Sequence, residues 1–337
     1  MQPVTISMYK SAVIKGLAIS AVVLLHILAY LPGIYHAEYQ LFYITLDQLS
    51  RFCVPVFLML SGYGLATQYE HKKIRYAEFV KKRVIKLLPL YLLWSVASIL
   101  IISSVPGWSF GNQPEQIPVQ LLLGQADYHL YFLPVLFQLY LLFPLLFTLQ
   151  KKPKLLLFLA LTIQAILYLW YATNTTDSDR FEYVLSLSWI GYFAFGIYLK
   201  LSALPKATIK LAPPVALLFL SIIAVSTMEQ INAGLDPLPA LKFTKLIIIP
   251  FALAFSLTLF TMQPATQSFQ TRLLSPCVKL LGWLGKNSYL IFLSHTIGLR
   301  IIYALLYGQI NPILLGGVLL SWIATIVVSQ KILSHKR

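Results

Sequence analysis

Ten apolar runs, each about the 20 residues that an α-helix needs to cross a hydrocarbon layer, follow one another along this chain. They fall near 12–31, 47–69, 84–104, 129–149, 155–173, 184–201, 211–228, 243–262, 287–307 and 312–331. Turn and breaker residues separate them: Pro32-Gly33, Pro106-Gly107, Pro153, Pro205, Pro237 with Pro239, Pro264, Pro276 and Pro312. A backbone inside lipid must satisfy its own hydrogen bonds, and a run of this length does so as a helix. The pattern predicts an all-α, polytopic bundle of about ten transmembrane helices, forming a single domain over 1–337.

Composition points the same way. Of the 337 residues 58% are hydrophobic and 11% charged, against roughly 25% charged in a soluble domain. Too little polar surface remains to coat a water-soluble particle. The net charge of +15 would suggest nucleic acid in a soluble protein. In a membrane chain, the placement of Lys and Arg instead reports which loops stay in the cytoplasm. With the N-terminus inside, the inner segments hold 21 of the 26 basic residues, the outer ones hold Arg51, Arg180, Lys242 and Lys245, and Arg300 lies within a span. A wrong helix count would scramble that asymmetry. Both termini are therefore expected in the cytoplasm of a plasma-membrane protein whose surroundings are lipid, with no nucleic-acid partner. Basic residues ahead of 12–31 give a superficial likeness to a secretory leader. The run is long enough to span, however, and no small-residue cleavage site precedes Pro32, so it is expected to stay as the first helix. Cys53 and Cys277 imply no disulfide framework. The longest outer loop, 105–128, is too short to fold alone, no internal repeat is visible, and no separate soluble domain is expected.

Ionisable groups inside spans are costly and usually functional. His26 lies about 21 Å along the first helix from Ala12, in the outer third of a core roughly 30 Å thick. Lys15, three turns below, shares its face. Two roles fit His26: a base accepting a proton at physiological pH, or a histidine hydrogen-bonded to a neighbouring helix with Lys15 snorkelling. In the second run Asp47 and Arg51 are spaced to pair. Pro55 cannot donate to the Arg51 carbonyl, so the helix should bend there. Ser61-Gly62, followed by Tyr63, permits close helix packing. The basic run Lys81-Lys82-Arg83, with Lys86, suits either a phosphate-rich ligand or anionic lipid and topology. His129 is expected at the outer start of its helix with Tyr140 eleven residues on and on the same face, while Tyr131 suits an interfacial aromatic belt. His295 falls about 12 Å into the ninth helix.

Five of these segments, in order, resemble the acyltransferase-3 family of membrane O-acyltransferases. They are Lys15-Gly16 with His26; Val54 to Tyr63; Arg83 and Lys86 with Pro89 and Tyr91; His129 to Leu133 with Tyr140 to Pro144; and Asn287 to His295. They span about 280 residues of the chain, and five in order are far more specific than any one. Two departures stand out: Lys15 replaces the family's usual arginine, losing its bidentate fork, and Ala12 replaces an acidic residue. The resemblance implies transfer of an acyl group, usually acetyl, from cytoplasmic acyl-coenzyme A to a hydroxyl of a cell-envelope glycan. Acyl-coenzyme A would be a co-substrate, with no permanently bound cofactor and no metal. His26 would be the catalytic residue, as general base or transient acyl carrier. Lys15, Arg83 and Lys86 would face the donor's phosphates. Asp47, Arg51, Ser61, Tyr63, His129, Tyr140 and His295 would support the acceptor side. A fused extracytoplasmic esterase-like domain, present in some relatives, is not expected. Two rival readings remain: an exporter or flippase for a polysaccharide or small solute, and a non-catalytic partner in a glycan-synthesis complex.

Overall fold

The computed structural model describes residues 2–36, 38–104, 116–174, 179–262 and 269–305. Those residues fold almost wholly into helices: α1 (Met8–Ala29), α2 (Gln40–Ser50), α3 (Cys53–Tyr69), α4 (Tyr76–Ser104), α5 (Ile117–Leu123), α6 (Phe132–Phe147), α7 (Pro153–Thr173), α8 (Asp179–Val184), α9 (Ile190–Leu201), α10 (Lys206–Asn232), α11 (Pro237–Ala240), α12 (Ile248–Thr261), α13 (Phe269–Lys286) and α14 (Ser288–Leu305). Strand pairing among them is confined to β1 (Gln2–Pro3) against β2 (Ala203–Leu204), antiparallel, with Gln2 opposite Leu204. Among the described residues five helical stretches are long and apolar enough to cross a membrane: Met8–Ala29, Gln40–Tyr69, Tyr76–Ile102, Pro153–Thr173 and Lys206–Asn232. Each contains or overlaps a run read from the sequence. The runs near 129–149 and 243–262 form the shorter apolar helices α6 and α12, that near 287–307 forms α14, and 312–331 lies outside the described residues.

Local chemistry sets several boundaries. The Ser7 side chain accepts a hydrogen bond from the Lys10 backbone N–H (3.1 Å) and starts α1. The helix running from Gln40 is interrupted by a turn at Arg51–Phe52, where Pro55 withholds its donor from the Arg51 carbonyl. The run 184–201 is not one helix. Leu185 is extended, a 3₁₀ turn follows over Ser186–Trp189, and α9 begins only at Ile190. The Gln138 side chain holds that break open, donating to the Val184 carbonyl (3.0 Å) and accepting from the Ser186 N–H (3.1 Å). The stretch between the eighth and ninth runs, expected as a loop because Pro276 and its polar residues interrupt the hydropathy, is the helix α13.

The chain divides into two compact units, each assembled from separate stretches. The first takes Met1–Thr5, Val54–Pro213 and Phe243–Thr258, and the second takes Ile6–Cys53, Pro214–Lys242 and the described residues from Leu259. In the first unit α3 and α9 approach closely. A methyl on Gly62 would strike the Phe193 carbonyl, and one on Gly196 the Met59 carbonyl, so the packing role expected of the Ser61-Gly62 pair holds. Rings of Phe79, Phe143 and Phe147 stack beside them, with centroids 5.0 Å apart for the Phe143–Phe147 pair and 5.9 Å for Phe79–Phe143. In the second unit α1 and α13 lie antiparallel, notched together by Gly16 against the Leu281 carbonyl and Gly285 against the Ala12 carbonyl. A second core gathers Leu28, Tyr35, Ile44, Ala224, Ile231 and Leu241 around the ends of α1, α2 and α10. The Lys10 ammonium caps the C-terminal turn of α12 by donating to the Phe260 carbonyl (2.6 Å).

Candidate active site

In the second unit α1 carries Lys15 and His26 on one face, eleven residues and roughly 16 Å apart. The notch at Gly16 seats α13 beside the turn that holds Lys15. The chain then reverses at Asn287, whose side chain donates to the Trp283 carbonyl (2.8 Å), and α14 brings His295 to His26. Nδ1 of His26 and Nε2 of His295 are 2.6 Å apart. The ring planes differ by 20° with centroids 4.8 Å apart, so the imidazoles meet edge to edge, in-plane N–H along in-plane lone pair. His295 is fully buried and His26 half-buried. The His295 Nδ1 lies 2.8 Å from the Phe292 carbonyl oxygen and 3.0 Å from that of Ile291. The neighbouring-helix hydrogen bond weighed for His26 therefore exists, and its partner is itself ionisable.

Asp47 and Arg51 pair as their spacing predicted. Arg51 Nε donates to Asp47 Oδ1 at 2.8 Å and a terminal guanidinium nitrogen to Oδ2 at 3.1 Å. The Asp47 side chain is 3% and the Arg51 side chain 13% exposed, so this bidentate contact works in a poorly solvated setting. The buried Tyr35 hydroxyl adds a third donor to Asp47 Oδ2 (3.3 Å). Burial, followed by the adjacent Asp47 carboxylate, raises the Tyr35 pKa far above the ordinary phenol value and keeps the hydroxyl a donor. Tyr35 was not singled out from the sequence, and no spacing rule connects it to Asp47 across the turn at Pro32–His36.

The remaining expected site residues belong to the first unit. Arg83 projects from α4 over the Phe79 ring (5.0 Å) and the Tyr140 ring (5.4 Å) and donates to the Gln68 side-chain carbonyl (3.2 Å). Its guanidinium thus contacts both rings and is oriented by them and by Gln68. Lys86, one turn on, is exposed. Tyr140 is close enough to Ser61 for a side-chain hydrogen bond. The buried Tyr63 hydroxyl donates to the Val4 carbonyl (3.0 Å) and so pins the residue that directly follows β1. His129 does not start a helix as expected, because α6 begins at Phe132 and residues 128–131 form turns. The turn depends on Gly124, whose φ of 69° places it in the left-handed region and whose missing Cβ lets the Leu130–Tyr131 backbone approach. Asp127, fully buried, accepts from the Tyr128 N–H (2.8 Å) and places Oδ2 3.9 Å from His129 Nδ1. Reasoning from the sequence passed over Asp127, although a carboxylate two positions before His129 in a chain with only 11 acidic residues was the available signal. Glu182 of α8, also buried, accepts from the Thr244 hydroxyl. Tyr131 packs against Tyr183 (5.3 Å) and Trp189 (6.0 Å) inside the unit. Among the described residues no three His, Cys, Asp or Glu side chains gather as a metal ion requires.

Helices of membrane-crossing length, together with a hydrogen-bonded imidazole pair shared by α1 and α14, mark a membrane-type helical chain with paired ionisable groups in its interior. A family model described as an acyltransferase domain matches residues 9–330, and the chain belongs to that acyltransferase-3 family. It is a membrane protein of an acyl-transferring class. No curated protein and no solved structure matches it.

Proposed function

We propose that this chain is a ten-span O-acyltransferase of the plasma membrane, both termini cytoplasmic, with the whole of 1–337 acting as one acyltransferase domain. It moves an acyl group, usually acetyl, from cytoplasmic acyl-coenzyme A to a hydroxyl of a cell-envelope glycan. The observation that carries this reading is the His26–His295 contact at 2.6 Å, in a chain whose family transfers acyl groups. An acceptor hydroxyl is a poor nucleophile until its proton is drawn off, and an imidazole is the side chain suited to that at neutral pH. His26 takes the hydroxyl proton as the oxygen attacks the thioester carbonyl. The new ester C–O bond forms, the C–S bond breaks, and the proton passes from His26 to the departing thiolate. Lys15, Arg83 and Lys86 are the cations assigned to the donor's phosphates, Arg83 and Lys86 because one helical turn holds both. Asp47 and Arg51, with Ser61, Tyr63, His129 and Tyr140, are assigned to acceptor support.

Mass spectrometry of envelope glycans from cells carrying wild type or His26→Ala tests this. The expected outcome is loss of the acetyl or larger acyl increment in the variant, at normal membrane abundance. Full acylation by His26→Ala would remove the assignment. Glycan that accumulates inside the cell with unchanged acyl content would favour an exporter.

A further inference from the structure

The Nδ1 of His295 faces two backbone carbonyl oxygens, those of Ile291 and Phe292, at 3.0 and 2.8 Å. A carbonyl oxygen only accepts, so Nδ1 must carry the proton. In the neutral imidazole the lone pair then sits on Nε2, the atom 2.6 Å from His26 Nδ1. Two lone pairs cannot share that contact, so His26 must present Nδ1–H to it. The lone pair of His26 is thereby placed on Nε2. Resting on the acyl-transfer reading above, we infer that His295 is a positioning residue that fixes the tautomer of His26, so that His26 Nε2 is the atom that takes the acceptor proton, and that His295 then shares the resulting charge.

The proton balance closes within the pair. As the acceptor hydroxyl gives its proton to His26 Nε2, the His26 ring becomes cationic and its Nδ1–H bond to His295 strengthens, because a charged donor makes the stronger bond. If that Nδ1 proton crosses to His295 Nε2, the charge sits on a ring whose other N–H already points at two carbonyl oxygens of α14. When the thiolate leaves, the protons return by the same path and both rings end neutral. The carbonyls of α14 lie three and four residues before His295, so the helix itself supplies the lock.

The experiment uses membranes containing the full chain, supplied with [14C]acetyl-coenzyme A, and scores label in the envelope-glycan fraction. An orienting group that sets a histidine tautomer is worth up to about 10⁴ in kcat. His295→Ala should lose roughly 100-fold or more in kcat, with the donor KM within about twofold of wild type. His295→Gln should recover about tenfold or more over the alanine variant, because its carbonyl accepts the same Nδ1–H and restores the tautomer. If His295→Ala does not accumulate in membranes, His295→Gln is compared with the near-isosteric His295→Met, and the same advantage is expected. Unchanged kcat in His295→Ala, or glutamine no better than alanine or methionine, overturns the inference. Full activity in His26→Ala instead overturns the acyl-transfer site itself, so the two failures are distinct.

Discussion

The two units satisfy buried polar groups by different means. In the first, much of the work falls to neutral side chains bonded to backbone. Gln164 accepts from the Gly191 N–H at 2.9 Å, Gln138 bridges Val184 and Ser186, and Tyr63 reaches the Val4 carbonyl. In the second, ionisable groups face one another: His26 with His295, and Arg51 with Asp47. An amide bonded to backbone fixes geometry and does not titrate. A pair of imidazoles fixes geometry and also exchanges a proton. The comparison teaches where imidazoles meet directly: the described residues of the second unit hold the hydrogen-bonded His26–His295 pair, whereas in the first the buried His129 lies 3.9 Å from the Asp127 carboxylate.

Substitutions that act on one unit sharpen this contrast. The largest separation should be kinetic. His26→Ala should lower kcat by about 10²–10⁴, while Arg83→Glu with Lys86→Glu should leave kcat within a few-fold. The reversed charges should instead raise the acetyl-coenzyme A KM about tenfold, the size of one lost charge-assisted hydrogen bond. Steady-state assays in membranes that found both effects in kcat would break the division. Next comes the buried ion pair. Arg51→Leu leaves Asp47 buried without its guanidinium and should cost about 3–5 kcal/mol, read as a lower midpoint for thermal aggregation in detergent. Asp47→Asn combined with Arg51→Leu should recover much of that loss, and a double variant as unstable as the single one would refute the pairing.

The glycine notches come third. Gly16→Ala or Gly285→Ala in the second unit, and Gly62→Ala or Gly196→Ala in the first, each force a methyl into a facing carbonyl. Each should cost about 1–3 kcal/mol by overpacking, measured by the same aggregation midpoint. Substitutions without effect would mean the helices separate at no cost. The smallest effect belongs to the Lys200–Glu70 pair of the first unit, 2.7 Å apart and partly exposed. The Lys200 hydrogen bond, with its charge, holds the Glu70 carboxyl below its ordinary value. Its contribution is therefore present above the ordinary glutamate range and fades as the pH falls through the lowered value. Glu70→Gln should remove that slope from a pH series of aggregation midpoints, and solvent keeps it small.

Several parts of the site were legible because they are local. The i, i+4 spacing of Asp47 and Arg51 and the break before Pro55 follow from helix geometry within a single turn. Gly62 announced close packing for the same reason. The helix α13 was hidden because Pro276 and polar residues lower its hydropathy below that of a span, while its role, filling a groove against Ala12 and Gly16, is set by α1. Asp127 was hidden because its value depends on the turn that Gly124 closes, and Glu182 because its partner Thr244 is 62 positions away.

What the sequence by itself determined is that most of the chain becomes helix and that long stretches of it are apolar enough to cross a membrane, since backbone hydrogen bonding and apolar length act over a few turns. It also marked His26, because an imidazole in such a run is costly unless used. Only the tertiary structure decided what His26 meets. Its partner lies 269 residues away, and the tautomer depends on two carbonyls of a helix that no local rule links to α1. A proton's position is set by every group within hydrogen-bond reach, and in a folded chain most of those groups come from elsewhere in the sequence.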